Sequence, residues 1–200
     1  TDTASLHFGA WKRLADELGI EFNEKLNEQF KGVSRAACLK LLLEWGGRSV
    51  GSAEFEELLT RKNDYYRSML NGLTPNDILP GVMECLGSLR DRGTPYSLFS
   101  VSKNTDRILG QLGLCDAFYA VVTGNDIEHS KPHFEGYMLA AERMGVDPRL
   151  CVMVEDSEAG IIGAKAVSML TLAIMSENRA SADACIASGE GLRSALSSIM

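Results

Sequence analysis

The stretch Val152-Met153-Val154-Glu155-Asp156-Ser157-Glu158-Ala159-Gly160 constrains this chain more than any other. Three apolar residues, extended backwards by Cys151 and Leu150, have the length and composition of a buried strand. Two adjacent carboxylates follow, then a serine placed to cap a helix of small and apolar residues from Ala159 to Ala166. A strand delivering two acids to a strand-to-helix turn sets them at the carboxyl edge of a sheet, where open α/β folds bind ligands. Paired hard oxygens suit Mg2+, which takes few protein carboxylates and completes its shell with phosphate and water. A plainer alternative is a helix start whose acids complement the macrodipole. Taken alone, the stretch leans to the plainer reading.

Up to about residue 78 only helical patterns occur. Leu6, Ala10, Trp11, Leu14, Ala15 and Leu18 follow amphipathic spacing over residues 2–18, and Gly19 stops it. A short helix is expected at 23–30. Ser34 should cap a helix running to Trp45, and Ser52 should be the N-cap of a long helix to Leu70. After Leu79-Pro80-Gly81 the pattern alternates. Helices are expected at 82–92, 105–112, 134–144 and 159–166, and strands at 95–100, 118–122, 150–154 and 169–174. Such alternation predicts a parallel sheet with right-handed crossovers. The expected architecture is therefore α/β: a helical cap at 1–78 and, at 79–200, a Rossmann-like parallel-sheet core with helices on both faces. From Ser176 onward the pattern is weak and no element is assigned.

Hydrophobic residues make up 45% of the chain, enough for a sizeable core. No apolar run reaches the roughly 18 residues of a transmembrane helix, so no membrane partner is expected. The first residues carry no basic segment followed by an apolar one, and no secretory signal is expected. The net charge is −7 and no Lys/Arg cluster could track a nucleic-acid backbone, which argues against nucleic acid as a partner. An acidic protein can still bind anionic substrates if a few cations are concentrated at one place. The five cysteines (38, 85, 115, 151 and 185) form no C-x-x-C pair, and Cys38, Cys85 and Cys151 lie in apolar patterns as expected buried thiols. A reduced, cytoplasmic protein is the expectation.

Two further stretches carry chemistry. Leu98-Phe99-Ser100-Val101-Ser102-Lys103-Asn104 runs a strand into hydroxyls, a cation and an amide, groups that bind phosphate at a strand end or, more plainly, cap the next helix. In Ser130-Lys131-Pro132 a lysine held before a proline could neutralise a phosphoryl group. Taken alone, it reads far more readily as a surface lysine ahead of a helix.

The order of a hydroxyl-ended strand, a Lys-Pro turn and an acid-pair strand resembles the later motifs of the haloacid dehalogenase superfamily. The resemblance extends through nearly the whole chain. Within that superfamily, Thr1 to Trp11 and the turn Phe30-Lys31-Gly32-Val33-Ser34-Arg35 look like the β-phosphoglucomutase family, as do Arg61-Lys62-Asn63 and Leu79-Pro80-Gly81.

The resemblance implies roles. Glu155 and Asp156 would bind Mg2+, and Ser100 and Lys131 would hold the phosphoryl group in transfer. Lys31, Gly32, Val33, Ser34 and Arg35, with Ser102, Lys103 and Asn104, would grip the other end of a small-molecule sugar phosphate. His7 and Lys62 would help close the cap and read the sugar, His7 as a catalytic-site residue, and Thr3 would lie near the cap hinge. The implied reaction interconverts β-glucose 1-phosphate and glucose 6-phosphate through an aspartyl-phosphate and a sugar bisphosphate, in a monomer. A sugar-phosphate phosphatase and a non-catalytic sugar-phosphate binder are the alternatives.

The family's Asp-x-Asp pair, nucleophile and acid/base, occurs nowhere in these 200 residues. The expectation is that it stands upstream of Thr1, on a first core strand that this chain lacks. The chain alone would then be inactive. Asp2 matches a later family position and is not the nucleophile. His133-Phe134-Glu135 replaces a Pro/Asp-rich run, and Ser168 stands where relatives commonly have glycine.

Overall fold

The computed structural model describes residues 1–30, 33–174, 182–186 and 191–199. The chain divides into two compact units, Thr1–Leu73 and Thr74–Met200.

The first unit is helical. It contains α1 (Ala4–Leu18), α2 (Glu24–Asn27, continued by a 3-10 turn, Glu28–Phe30), α3 (Arg35–Trp45) and α4 (Ser52–Leu70). Helix α1 ends where Gly19 adopts φ 68°, a left-handed backbone that costs glycine little. Ser34 caps α3 as expected, its Oγ accepting from the Ala37 N–H at 3.3 Å. Ser52 does not cap α4. The Phe55 N–H bonds the Gly51 carbonyl at 2.9 Å, so the first turn closes one residue earlier and extended Gly51 is the cap. Trp11, Leu14, Phe22, Phe30, Leu39, Leu42 and Leu58 are buried together. Phe30 stacks on Trp45 with ring centroids 5.4 Å apart.

The second unit alternates α5 (Val82–Asp91), β1 (Ser97–Phe99), α6 (Thr105–Leu112), β2 (Ala120–Val122), α7 (Glu135–Met144), β3 (Val152–Glu155), α8 (Glu158–Ala166) and β4 (Leu170–Ile174). Two elements that the sequence pattern did not announce follow, β5 (Ala184–Ile186) and α9 (Leu192–Ile199). Every strand pair is parallel: β1 with β2, and β3 with β4 with β5. The alternation of side chains along β3 sorts the helices onto two faces. Val152 and Val154 join Cys85, Leu172, Leu192 and Leu196 under α5 and α9. Met153 lies on the other face, in a cluster with Tyr137, Ala141 and Ala164 of α7 and α8. Phe99 of β1 packs into that same cluster. Among the described residues no ladder joins β1 to β3, and the two sheets are connected through this helical layer. Of the three thiols expected to be buried, Cys38 and Cys85 are, and Cys151, just before β3, is half-buried like Val152, Met153 and Val154 of that strand.

The join is close. A Cβ on Gly136 would fall 2.1 Å from Phe99 Cζ, and one on Gly163 would fall 2.5 Å from Tyr137 Cε2 and 2.8 Å from the Pro132 carbonyl oxygen. By contrast, nothing lies within 4 Å of the Cβ position on Gly87, inside α5. Gly163→Ala should cost about 1–3 kcal/mol through overpacking. Gly87→Ala should gain roughly 0.5–1 kcal/mol from lower chain entropy in the unfolded state and better helix propensity. Urea unfolding of the chain, followed by circular dichroism, checks both. A Gly163→Ala chain as stable as the parent would show that α8 is not pressed against Tyr137.

Candidate active site

In the second unit the carboxyl ends of β1 and β3 carry the polar groups. Strand β3 delivers Glu155, and Ser157 caps α8 by accepting from the Gly160 N–H at 3.1 Å. The Glu155 carboxylate is buried. Its Oε1 accepts from the Ser157 hydroxyl at 2.8 Å and from the Ser157 and Asp156 N–H groups at 3.1 and 3.2 Å. Its Oε2 accepts from Lys131 Nζ at 2.5 Å. The absence of a side chain on Gly160 leaves room for this carboxylate, since a Cβ there would lie 2.1 Å from Glu155 Cδ.

Burial pushes the Glu155 carboxyl upward, but the Lys131 charge and its hydrogen bond outweigh burial and hold it below the ordinary value. The neighbouring Asp156 moves the other way. Crowding by the surrounding protein raises it, and the Glu155 carboxylate beside it adds to the rise, although the residue reaches solvent. Two adjacent carboxylates, one ionised and one resisting ionisation, form a donor set that a hard divalent cation would satisfy. The fit to Mg2+ rests on that chemistry.

Ser100 follows β1. Its N–H bonds the Val122 carbonyl at 2.9 Å and its Oγ accepts from the Ser102 N–H at 3.2 Å. Ser102 Oγ in turn accepts from the Asn104 N–H at 3.1 Å, ahead of α6. Lys131 Nζ stands 4.9 Å over the ring of Phe99, one residue before Ser100. Ser100, Lys131, Glu155 and Asp156 are thus brought to neighbouring strand ends, and Ser102, Lys103 and Asn104 form the turn beside them.

A supporting loop was not singled out from the sequence. Thr123-Gly124-Asn125-Asp126 follows β2. Its Gly124 N–H donates to the Ser102 carbonyl at 3.2 Å, and Asn125 Nδ2 donates to the Lys103 carbonyl at 3.3 Å. A Cβ on Gly124 would sit 2.2 Å from the Val101 oxygen, so the two loops need glycine here. Asp126 accepts from the Thr123 N–H and hydroxyl, both at 2.8 Å, and pairs with Arg143 at 2.6 Å. The Arg143 bond, with those from Thr123, lowers its carboxyl to about 2. A run of turn-forming residues directly after a predicted strand was the available signal.

The first unit holds a separate cluster. Lys62 is only 2% exposed, and its Nζ lies 3.0 Å from His7 Nδ1 and 4.9 Å and 5.0 Å over the Trp11 and Tyr66 rings. The His7 ring stacks on Tyr66 at 4.0 Å. Burial, then the Arg35 charge, brings Lys62 down to about 7. Surrounding protein, then Lys62 and Arg35, brings His7 down to about 3, although the residue is exposed. His7 is therefore neutral near pH 7, and Nδ1 can accept from the ammonium. Arg35, exposed, begins α3 beside Val33 and the Ser34 cap, where the positive end of the helix dipole favours an anion. Lys31 and Gly32 lie outside the described residues.

Comparison with known proteins gives the family. Residues 1–168 match the haloacid dehalogenase-like hydrolase family. The β-phosphoglucomutase of Bacillus subtilis is 37% identical over 176 residues, which are 87% of this chain and 78% of that protein. The fructose-1-phosphate phosphatase YqaB of Escherichia coli is 28% identical over 171 residues, 84% of this chain and 87% of that protein. A crystal structure of the β-phosphoglucomutase from Clostridium difficile superposes with a TM-score of 0.88 at 32% identity, covering 100% of this chain and 91% of that one. The chain belongs to the haloacid dehalogenase-like hydrolase family.

Proposed function

We propose that these residues serve Mg2+-dependent phosphoryl transfer on sugar phosphates, of the kind that interconverts β-glucose 1-phosphate and glucose 6-phosphate. The observation that carries the reading is the placement of Lys131 against the Glu155–Asp156 pair beside Ser100, one cation and two acids at parallel strand ends. In this reading Glu155 and Asp156 hold Mg2+, which when bound neutralises charge on the phosphoryl group. Lys131 and the Ser100 hydroxyl bind that group's oxygens, and Ser102, Lys103 and Asn104 contribute polar contacts. Arg35 takes the phosphate that is not transferred, because its planar fork matches two phosphate oxygens. His7 and Lys62 contact the sugar.

Mutase chemistry through an aspartyl-phosphate needs an Asp-x-Asp pair, and none occurs in these residues. The reading therefore assigns turnover to a polypeptide that supplies such a pair, and ligand binding to these 200 residues. A phosphatase is the second reading, favoured by the likeness to the fructose-1-phosphate phosphatase. The Arg35 turn favours the mutase, which must hold a second phosphate.

Calorimetric titration of the chain with glucose 6-phosphate tests Arg35. Arg35→Ala should weaken binding about 10- to 100-fold, the loss expected for a charge-assisted pair. Unchanged affinity would reject its role. With Mg2+ and β-glucose 1-phosphate the 200-residue chain should yield no glucose 6-phosphate, and measurable conversion would show that it holds a nucleophile of its own.

Lys62 sets a pH dependence. Below pH 7 the folded and unfolded chains both hold its proton, and the cost of burying the charge is fully present. Between about 7 and the ordinary 10.5 the unfolded chain binds more protons, so stability rises with pH. His7, lowered from 6.5, is neutral in both states over this range. The Cys38 thiol, raised by burial from 9.0 to about 11, opposes the slope above pH 9 and roughly cancels it up to 10.5. Both tryptophans, Trp11 and Trp45, lie in the first unit, so urea unfolding followed by their fluorescence reports on it. Stability should climb from pH 7 to about 8.5, and Lys62→Met should flatten the climb. Equal slopes in the two chains would remove Lys62 as its source.

A further inference from the structure

We propose that His129, His133 and Glu135 form a binding site for a transition-metal dication such as Zn2+, distinct from the carboxylate pair on β3. One ligand atom from each lies within 4.8 Å of the others. Glu135 opens α7 and reaches back over the preceding turn. Its Oε1 accepts from the Glu128 N–H at 3.0 Å and its Oε2 from the His129 N–H at 2.9 Å. These two bonds hold the carboxylate in place. His129 Nδ1 is 3.2 Å from the same Oε2, and His133 Nδ1 is 3.9 Å from it. Ligand bonds of 2.0–2.1 Å in a tetrahedral zinc site set neighbouring donors about 3.4 Å apart, so the His129–Glu135 edge is already formed, while His133 Nδ1 accepts from the Glu135 N–H at 3.3 Å and would exchange that bond for the ion.

The imidazole rings are stacked, with centroids 4.3 Å apart, so both reach the carboxylate from one side. All three side chains are accessible, Glu135 least at 29%. A cation can therefore enter without unfolding the turn and keep water on its open side. Two nitrogens and one oxygen select Zn2+ and its neighbours over Mg2+, which prefers oxygen alone. The two histidines flank Lys131, so a bound ion would fasten the turn that carries the ammonium to Glu155. Two of the three donors, His133 and Glu135, lie in the His133-Phe134-Glu135 stretch that stands where the resembling family carries a Pro/Asp-rich run.

The test titrates the 200-residue chain with Zn2+ alone, in competition with a fluorescent chelator. One saturable site is expected, weakened at least about tenfold in His129→Ala and again in His133→Ala, since each removes one of three ligands. Asp156→Asn should keep it. Co2+ in place of Zn2+ should give a spectrum without sulfur-to-metal charge transfer, which excludes the exposed Cys115 and Cys185 as ligands. Unchanged circular dichroism melts for the two histidine variants would show that lost binding is not lost folding. The proposal is overturned if the parent chain binds no Zn2+ saturably. It is overturned equally if binding survives both histidine substitutions, disappears with Asp156→Asn, or shows a thiolate band.

Discussion

The second unit is organised around Tyr137. Its ring meets Phe99 edge-on at 4.9 Å, and its hydroxyl donates to the Gly160 carbonyl at 2.8 Å. One side chain on α7 therefore touches the residue before Ser100 and the first turn of α8, just beyond Glu155. Burial, with the Glu155 charge nearby, pushes its phenol upward, so it remains a hydrogen-bond donor at any pH the fold survives. Glycines at 136, 160 and 163 let the three elements approach this closely. With no ladder between β1 and β3 among the described residues, the relative position of their carboxyl ends depends on this packing. Tightness here is thus a condition for Lys131 to reach Glu155 at all.

Much of this was legible in the sequence, for identifiable reasons. The acid pair stood out because three apolar residues ran straight into two charges, a boundary that burial enforces. The parallel core was legible from the helix–strand alternation, and the end of α1 from Gly19. Ser168 shows why a departure mattered: it holds φ 62°, a left-handed backbone that favours glycine at this point. What escaped were elements whose cause is tertiary. Strand β5 has three residues and depends on register with β4, helped by Asp183 accepting from Thr171. No periodicity of three residues can announce that. The loop at 123–126 escaped because its role is to receive another loop's carbonyl groups. The Ser52 cap was misplaced because hydroxyl preference at a cap is weaker than the geometry that set Gly51 at the bend.

The cap cluster was legible only as residue types. Lys62 was singled out by resemblance, and nothing in the sequence showed that it would be buried against two aromatic rings and a neutral imidazole. Partial compensation by aromatic faces is weaker than a carboxylate, which is why its proton affinity falls so far. Arg35 adds like charge rather than relief. Such a group favours an approaching anion twice over, by attraction and by restoring the proton to the lysine.

In the core the opposite problem arises. Lys131 and Glu155 neutralise one another with side chains only 15% and 6% exposed. Such a pair adds little to stability, yet removing one partner typically costs about 3–5 kcal/mol because the other is left buried and charged. A phosphate that draws Lys131 away would therefore leave Glu155 uncompensated beside an Asp156 that already resists ionisation. Anion binding at Lys131 and cation binding at the two acids must then reinforce one another, since each relieves the charge that the other exposes. That coupling is a property of the ion pair itself. In the proposed reading it gives two acids and a lysine a function that packing alone would not require.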